Sequence, residues 1–339
     1  MVEIDGSQGE GGGQVLRTSL ALSMVTGRPF RIVNIRAGRK KPGLMRQHLT
    51  SVNAAVEVCQ AQVKGNSIGS QEVEFTPGTV KPGNYHFSVG TAGSTTLVCQ
   101  TVLPALMIAS APSTLVLEGG THNPFAPPFD YLKQVFAPIV EQMGPKLDLN
   151  IEEYGFYPAG GGKVEIGIVP KNSLAPINLL EKGEIVSQRG EVLFAHLPDD
   201  IALRELKVVG KRIAIEENNL NPRKITRSPG PGNMVAVILE SERVTEIFTE
   251  FGKRGVRAER VAEKACEQAL KYLAAEVPVG IHLADQLLVP MALAGGGCFR
   301  TLKPDLHTLT NIDVIQKFIE VSFEVKQESD SVWEIVVQR

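Results

Sequence analysis

ADQLLVPMALAGGGCFRTLKPDLHTLTNIDVIQKFIEVSFEVKQESDSVWEIVV, residues 284–337, is the stretch whose order of elements decides the fold. Apolar residues recur at helical spacing from Ala284 to Ala294, and a short strand pattern covers Cys298 to Leu302. A second helical pattern follows over Leu309 to Glu320, then two alternating runs, Val321 to Lys326 and Val332 to Val337. Upstream the same order occurs twice. After a first short strand (Val2 to Ile4) and a helical pattern near Gln14 come a strand at Phe30 to Ile35 and a helix at Gln47 to Gln60. That helix aligns Leu49, Val52, Ala55, Val56 and Cys59 on one face, and two strand candidates ending at Glu72 to Thr76 follow it. The next copy reads helix (Gly93 to Ala109), strand (Ser113 to Leu117), helix (Phe129 to Met143) and a pair of strands through Val164 to Val169. Three units of helix–strand–helix–strand–strand predict an internal repeat, carried by element order because identity between the copies is faint.

Between the second and third copies, Gly183 to Ala275 breaks the rhythm. It has strands of its own (Glu191 to Ala195, Val235 to Leu239), a polar Asn/Pro/Gly-rich run (Asn218 to Asn233) and a charged helix, Arg257 to Ala274. The expected fold class is therefore α/β (α+β): a large domain of three helix–sheet repeats, residues 1–182 plus 276–339, with a smaller α/β domain, 183–275, inserted into the third. Gly and Pro in Ser228 to Gly232 mark a mobile or functional loop.

The bulk properties narrow the classes. At 339 residues the chain exceeds one ordinary domain, and 43% hydrophobic with 21% charged residues is a globular composition. A formal charge of −2 leaves no global field for nucleic acid, so such a partner needs a local basic patch. Cys59, Cys99, Cys266 and Cys298 are far apart and form no C-x-x-C pair, which argues against a zinc site or disulfide framework and for a reducing compartment. The N-terminus opens on a strand pattern without a charged-then-apolar leader. The longest apolar run, Leu283 to Ala294, is broken by Asp285 and Gln286 and is too short for a bilayer. The expectation is a cytoplasmic protein with no membrane partner.

Gly9-Glu10-Gly11-Gly12-Gly13-Gln14 places a carboxylate in a glycine cluster between a strand and a helix. Glycine lets backbone approach a ligand closely, and the helix start offers unpaired N–H groups to an anion. Glu10 would repel a phosphate unless a divalent cation lay between them; a tight turn with a solvated glutamate is the equal alternative. The spacing is no P-loop, and G-x-G-x-x-G fails at Gln14 and Leu16.

Arg36-Ala-Gly-Arg39-Lys40-Lys41-Pro42-Gly43-Leu44-Met45-Arg46 puts five cations in eleven residues at the mouth of a strand, with Gln47 and His48 beginning the next helix. Guanidinium forks match phosphate oxygens, and Arg17 on the first helix can join them; a solvated basic loop is the bland reading. Thr91 to Thr96 reads first as a helix cap, and Gln100 in an apolar helix requires a polar partner, either a core group or a ligand. The rigid Asn123 to Pro128 loop either initiates a helix or lines a base pocket. Asp285 and Gln286, in the segment starting at His282, either suit a helix start electrostatically or accept from a ribose or adenine group. His307 precedes the final helix, where the dipole disfavours its cation and leaves a neutral imidazole able to act as a nucleophile; a lone loop histidine usually has no function.

Together G-E-G-G-G-Q, R-A-G-R-x-K-P-G-L-x-R-Q-H (Arg36 to His48), Y-P-A-G-G-G (Tyr157 to Gly162), L-A-D-Q-L (Leu283 to Leu287) and H-x-x-T-N (His307 to Asn311) closely resemble the RNA 3′-terminal phosphate cyclases, in order and along the whole chain. The resemblance implies a histidyl–AMP intermediate, made by attack on the α-phosphorus of ATP, then transfer of AMP to an RNA 3′-phosphate and closure by the 2′-hydroxyl. It implies His307 as the nucleophile and Glu10 as a ligand of Mg²⁺ or Mn²⁺. Arg17, Arg36 and Arg39 would hold phosphates, with Gln47 and His48 nearby. Gln100, Pro127 and His282, Leu283, Ala284, Asp285 and Gln286 would form the adenosine pocket. It further implies repeats resembling the C-terminal domain of a translation initiation factor, a thioredoxin-like insert and a homodimer. The chain departs from the family at His282, where relatives tend to carry tyrosine; an imidazole still stacks on adenine, with a weaker nucleotide preference. Two other classes remain: a non-catalytic cyclase-like factor of ribosome assembly that binds RNA, which would lack the nucleophilic histidine, and an enolpyruvyl-transferase-like enzyme of related repeat architecture. Neither would transfer label from ATP to protein.

Overall fold

The computed structural model describes residues 1–339. Its first unit is β1 (Val2–Asp5), α1 (Gly13–Thr26), β2 (Phe30–Val33), α2 (Arg46–Cys59), β3 (Gln62–Lys64) and β4 (Val73–Thr76). The second is β5 (Asn84–Ser88), α3 (Thr95–Leu106), β6 (Ser113–Gly119), α4 (129–142), β7 (Lys146–Glu153) and β8 (Gly162–Val169). The third opens with β9 (Ile177–Leu179) and is interrupted by β10 (Ile185–Ala195), α5 (Asp199–Ile213), β11 (Leu220–Lys224), β12 (Gly232–Ser241), β13 (Thr245–Phe251) and α6 (Ala258–Ala275). It resumes with α7 (Ile281–Ala294), β14 (Gly296–Thr301), α8 (Leu306–Phe318), β15 (Ser322–Gln327) and β16 (Trp333–Gln338).

The three units share one topology. Their sheets run β1-β2-β4-β3, β5-β6-β8-β7 and β9-β14-β16-β15. In each, the first two strands are parallel around a crossover helix and the remaining pairs are antiparallel. Alternating burial along β6 and β8 shows why: one face of every sheet is apolar and must be covered. The helices cover it, with α1 packed against α2, α3 and α8, in one continuous core of 70 buried residues.

The interrupting segment has a separate core of 19 buried residues. Its βαβ half and ββα half make a sheet ordered β11-β10-β12-β13, with β10 and β11 parallel and the rest antiparallel, which is the thioredoxin arrangement. It seats on the second unit: the Tyr154 N–H donates to the Arg227 carbonyl at 3.0 Å, and Arg223 reaches Asp130 at 3.6 Å.

Three local readings of the sequence need correction. The Asn218–Asn233 run contains a strand, β11, which occupies a sheet edge where Pro222 costs no ladder bond. The final helix starts at Leu306 rather than Leu309, because Asp305 caps it by accepting from the Thr308 N–H at 2.9 Å. Helix α5 was not anticipated, although Asp199 and Asp200 open it, Lys211 and Arg212 close it, and Ala202, Leu206, Val209 and Ile213 form its buried stripe.

Candidate active site

A cleft of about 700 Å³ opens where the first turns of four helices converge. Gly13 and Gln14 come from α1, Gln47 and His48 from α2, Ile281 and His282 from α7, and His307 from α8. Each helix start brings a partial positive charge and undonated N–H groups. The N-caps Gly12 and Gly280 supply no side-chain acceptor to α1 or α7, so those helix ends remain electropositive toward the cleft.

Glycine is required in the loop that leads into α1. Gly9 has φ +60, a left-handed conformation, and a Cβ there would run into Thr310. That close approach lets the Glu10 N–H donate to Thr310 Oγ1 at 2.9 Å, while Thr310 Oγ1 donates to the Leu306 carbonyl at 2.6 Å. The glycine cluster and the H-x-x-T-N segment thus hold each other, 300 residues apart. Through them Glu10 and His307 share one wall. The Glu10 carboxylate is only 12% exposed and is paired with Arg39.

The cations are arranged unequally. Arg39 is exposed and reaches across the cleft to Glu10. Arg36 donates Nη1 to the carbonyls of Lys41 and Gly43, at 2.7 and 2.8 Å, so it also shapes the basic loop. Burial lowers Arg17 to about 10, against the opposing charges of Asp285 and Glu10, and it stays protonated at neutral pH. His48 is 9% exposed, and burial, with Arg17 and Arg36 beside it, lowers it to about 3. Its Nδ1 accepts from the Met45 N–H at 3.2 Å, which leaves the ring proton on Nε2. His48 is therefore a neutral donor. Gln47 faces both ways: it lines the cleft and its Oε1 accepts from the Ser94 N–H at 2.7 Å, tying α2 to the start of α3.

His307 is exposed on its outer side and fixed on its inner one. Nδ1 lies 2.9 Å from Gln14 Oε1. The other end of the same amide, Nε2, donates to Asp285 Oδ1, which also accepts from Asn311 Nδ2 at 3.0 Å. Asn311 Oδ1 in turn accepts from Thr18 at 2.8 Å. An amide whose NH₂ faces a carboxylate must turn its oxygen to the imidazole, so Nδ1 carries the proton and Nε2 keeps a free lone pair. Burial raises Asp285 to about 6, opposed by His307, Arg17 and Gln14, so it is an anion at neutral pH.

The nucleoside-pocket residues divide. Pro127, His282, Asp285, Gln286 and Gln100 line the cleft. Gln100 donates to Gln286 at 2.9 Å, so the polar side chain in the apolar helix α3 does find a core partner. Asp285 lines the cleft and accepts from Gln14 and Asn311. Leu283 and Ala284 are 0% and 1% exposed and belong to the core beneath α7. Gln14, Thr310 and Asn311 stand inside the quoted G-E-G-G-G-Q and H-x-x-T-N motifs but have no assigned role of their own there, and Thr18 carries no mark in the chain at all.

No group of three or more His, Cys, Asp or Glu gathers in metal-holding geometry. The Glu10 carboxylate, the acidic side chain on the glycine-rich loop, is the group that would hold a hard divalent cation there, phosphate and water oxygens supplying the rest of its shell.

A cluster of cations beside an imidazole with a free Nε2 can bind a polyanion and present a nitrogen nucleophile to it. A family model described as RNA 3′-terminal phosphate cyclase matches residues 8–325. The RNA 3′-terminal phosphate cyclase of Koribacter versatilis (strain Ellin345) is 53% identical over 330 residues, which cover 97% of this chain and 93% of that one. The chain belongs to the RNA 3′-terminal phosphate cyclase family. The match embraces the interrupting segment and all five cyclase motifs, and no helix of this family member is long and apolar enough to cross a membrane.

Proposed function

We propose that the protein uses ATP to convert an RNA 3′-phosphate to a 2′,3′-cyclic phosphodiester through a histidyl–AMP intermediate. The observation that carries this reading is the His307–Gln14–Asp285 chain, which leaves Nε2 as the free nitrogen facing the cleft that holds Glu10, Arg36 and Arg39. In the first step the Nε2 lone pair attacks the α-phosphorus of ATP; the P–N bond forms and the bond to the β-phosphate oxygen breaks, releasing pyrophosphate. The ring becomes cationic, and Gln14 Oε1 accepts the hydrogen bond of its Nδ1–H. In the second step an oxygen of the RNA 3′-phosphate attacks the same phosphorus and the P–N electron pair returns to the imidazole, giving RNA(3′)pp(5′)A. In the third the neighbouring 2′-hydroxyl attacks the RNA phosphorus, its proton passes to solvent, and AMP departs.

Arg17, Arg36 and Arg39 would hold phosphate oxygens, and His48 would donate Nε2–H to one of them. With Nδ1 occupied and its pKa near 3, His48 cannot serve as the base for the 2′-hydroxyl. Pro127, His282, Gln100 and Gln286 would enclose the adenosine, and the exposed ring of His282, its pKa lowered chiefly by desolvation in the cleft, offers an imidazole face for stacking. Mg²⁺ or Mn²⁺ held by Glu10 would offset charge on the leaving pyrophosphate when bound.

The test is conversion of a 3′-phosphorylated RNA oligonucleotide to a phosphatase-resistant end that acid reopens. The proposal expects strict ATP dependence and release of one AMP per end. Resistant ends formed without ATP would contradict it.

A further inference from the structure

Every Phe, Tyr and Trp of the protein is buried or half-buried except two, Phe125 at 77% exposure and Tyr157 at 54%. These two touch each other, edge to face, with ring centroids 5.8 Å apart and planes at 89°. They come from separate loops, the Asn123–Pro128 segment before α4 and the Tyr157–Gly162 segment between β7 and β8. Phe125 lines the cleft that contains Glu10, Arg39 and His307. Tyr157 extends the aromatic surface outward from it.

Both loops are rigidly held. The Phe125 N–H donates to Asn123 Oδ1 at 3.0 Å, and the Tyr157 N–H to the His122 carbonyl at 3.1 Å. His122 is fully buried, with its Nε2 2.7 Å from Asp130 Oδ2, and so anchors the two loops together. Gly160, at φ +69, presses against Ala92, where a Cβ would come within 2.8 Å of the Ala92 Cα. Folding gains nothing from leaving two large rings in water on braced loops. Their use must lie in what they bind.

We propose that Phe125 and Tyr157 form a stacking platform for the unpaired bases of the RNA end whose terminal phosphate enters the cleft. The inference rests on the RNA reading of the same site. Single-stranded ends are recognised by stacking splayed bases on aromatic faces, and a ring pair beside a phosphate cradle suits that use. Every base has a π-face, so the platform tolerates any sequence and favours purines by their larger area.

The experiment measures equilibrium binding, without ATP, of a short RNA carrying a 3′-phosphate and of versions abasic at each of the last three nucleotides in turn. For the wild-type protein at least one abasic position weakens binding roughly tenfold, the size of one lost base–aromatic stack. The Phe125→Ala/Tyr157→Ala protein binds the intact RNA about tenfold more weakly, and that abasic change costs it nothing further. Phe125→Trp retains wild-type binding. Formation of protein–AMP from ATP alone is equal in the wild type and the double variant, and it reports on the catalytic reading separately: wild-type protein that binds RNA with this pattern but takes no label fails that reading and leaves the platform standing. Equal binding by wild type and double variant, or the same abasic cost in both, overturns the platform. So does a double variant whose only change is its molar mass by light scattering, which would make the ring pair a contact between copies of the chain.

Discussion

His307 Nδ1 and Gln14 Oε1 lie 2.9 Å apart although 293 residues separate them in the chain. Because Asp285 takes the other end of the Gln14 amide, the imidazole has one available tautomer, with Nε2 bare. Gln14→Ala is therefore expected to slow protein–AMP formation about tenfold, the worth of one hydrogen bond that strengthens as the ring becomes cationic. Saturation by ATP should be little changed. Gln14→Glu alone sets two carboxylates against each other and should be worse. Adding Asp285→Asn restores a donor to that position, and the Gln14→Glu/Asp285→Asn protein should regain most of the rate in single-turnover labelling. A pair no faster than Gln14→Glu would remove the orienting role.

His48 makes a prediction about stability. Its pKa falls from an ordinary 6.5 to about 3 on folding, through burial first and then the two arginines. The unfolded chain thus takes up the proton first as the solution is acidified, so the stability His48 contributes is complete above about pH 6.5 and is lost toward pH 3. The slope is about 1.4 kcal/mol per pH unit. Urea unfolding of wild type and His48→Asn between pH 4 and 7 should give a stability difference that changes with that slope. Parallel curves would mean that the imidazole is not buried neutral.

Glu246 links the inserted domain to the start of helix α7. It is 1% exposed and accepts from the Gly280 N–H at 2.6 Å, and burial raises it to about 8. A carboxyl raised on folding keeps its proton where the unfolded chain has lost it, so its contribution declines as pH rises from about 4.5 to 8. Glu246→Gln should match the wild type near pH 5 and exceed its stability near pH 8. Glu246→Ala, which orphans the Gly280 N–H, should lose about 1–3 kcal/mol at either pH, measured by urea unfolding.

Under the proposed mechanism Glu10 holds the divalent cation at the triphosphate. Glu10→Ala should slow protein–AMP formation on the order of a hundredfold, with partial recovery at raised Mg²⁺ or Mn²⁺. The loop should persist, since Thr310 is bonded to the backbone of residue 10 rather than to its side chain. A variant indifferent to metal concentration would assign Glu10 to holding Arg39.

The repeat was legible because the apolar period switches between 3.6 and 2 at each helix–strand boundary, and the quoted C-terminal stretch shows that switch three times in a row. Short edge elements were not. β9 covers three residues, too few for a period to declare itself, and β5 follows a Pro/Gly-rich run with only Tyr85 and Phe87 as its apolar positions. Within the site, residues that stand in local patterns, such as the Arg36–Arg46 loop and Glu10 among its glycines, could be found from the chain. Gln14 could not, because its role depends on Asp285 and His307, both brought to it by long-range packing. The start of α8 lies three residues earlier than the apolar period alone indicates, because the Asp305 cap places His307 on the first turn.

The most direct test of the account is incubation with α-labelled ATP and Mg²⁺ or Mn²⁺, followed by denaturing electrophoresis of wild type and His307→Ala. The account predicts an acid-labile, alkali-stable label on the wild type and none on the variant. A label that persists in His307→Ala, or no label on the wild type with either metal, would contradict it.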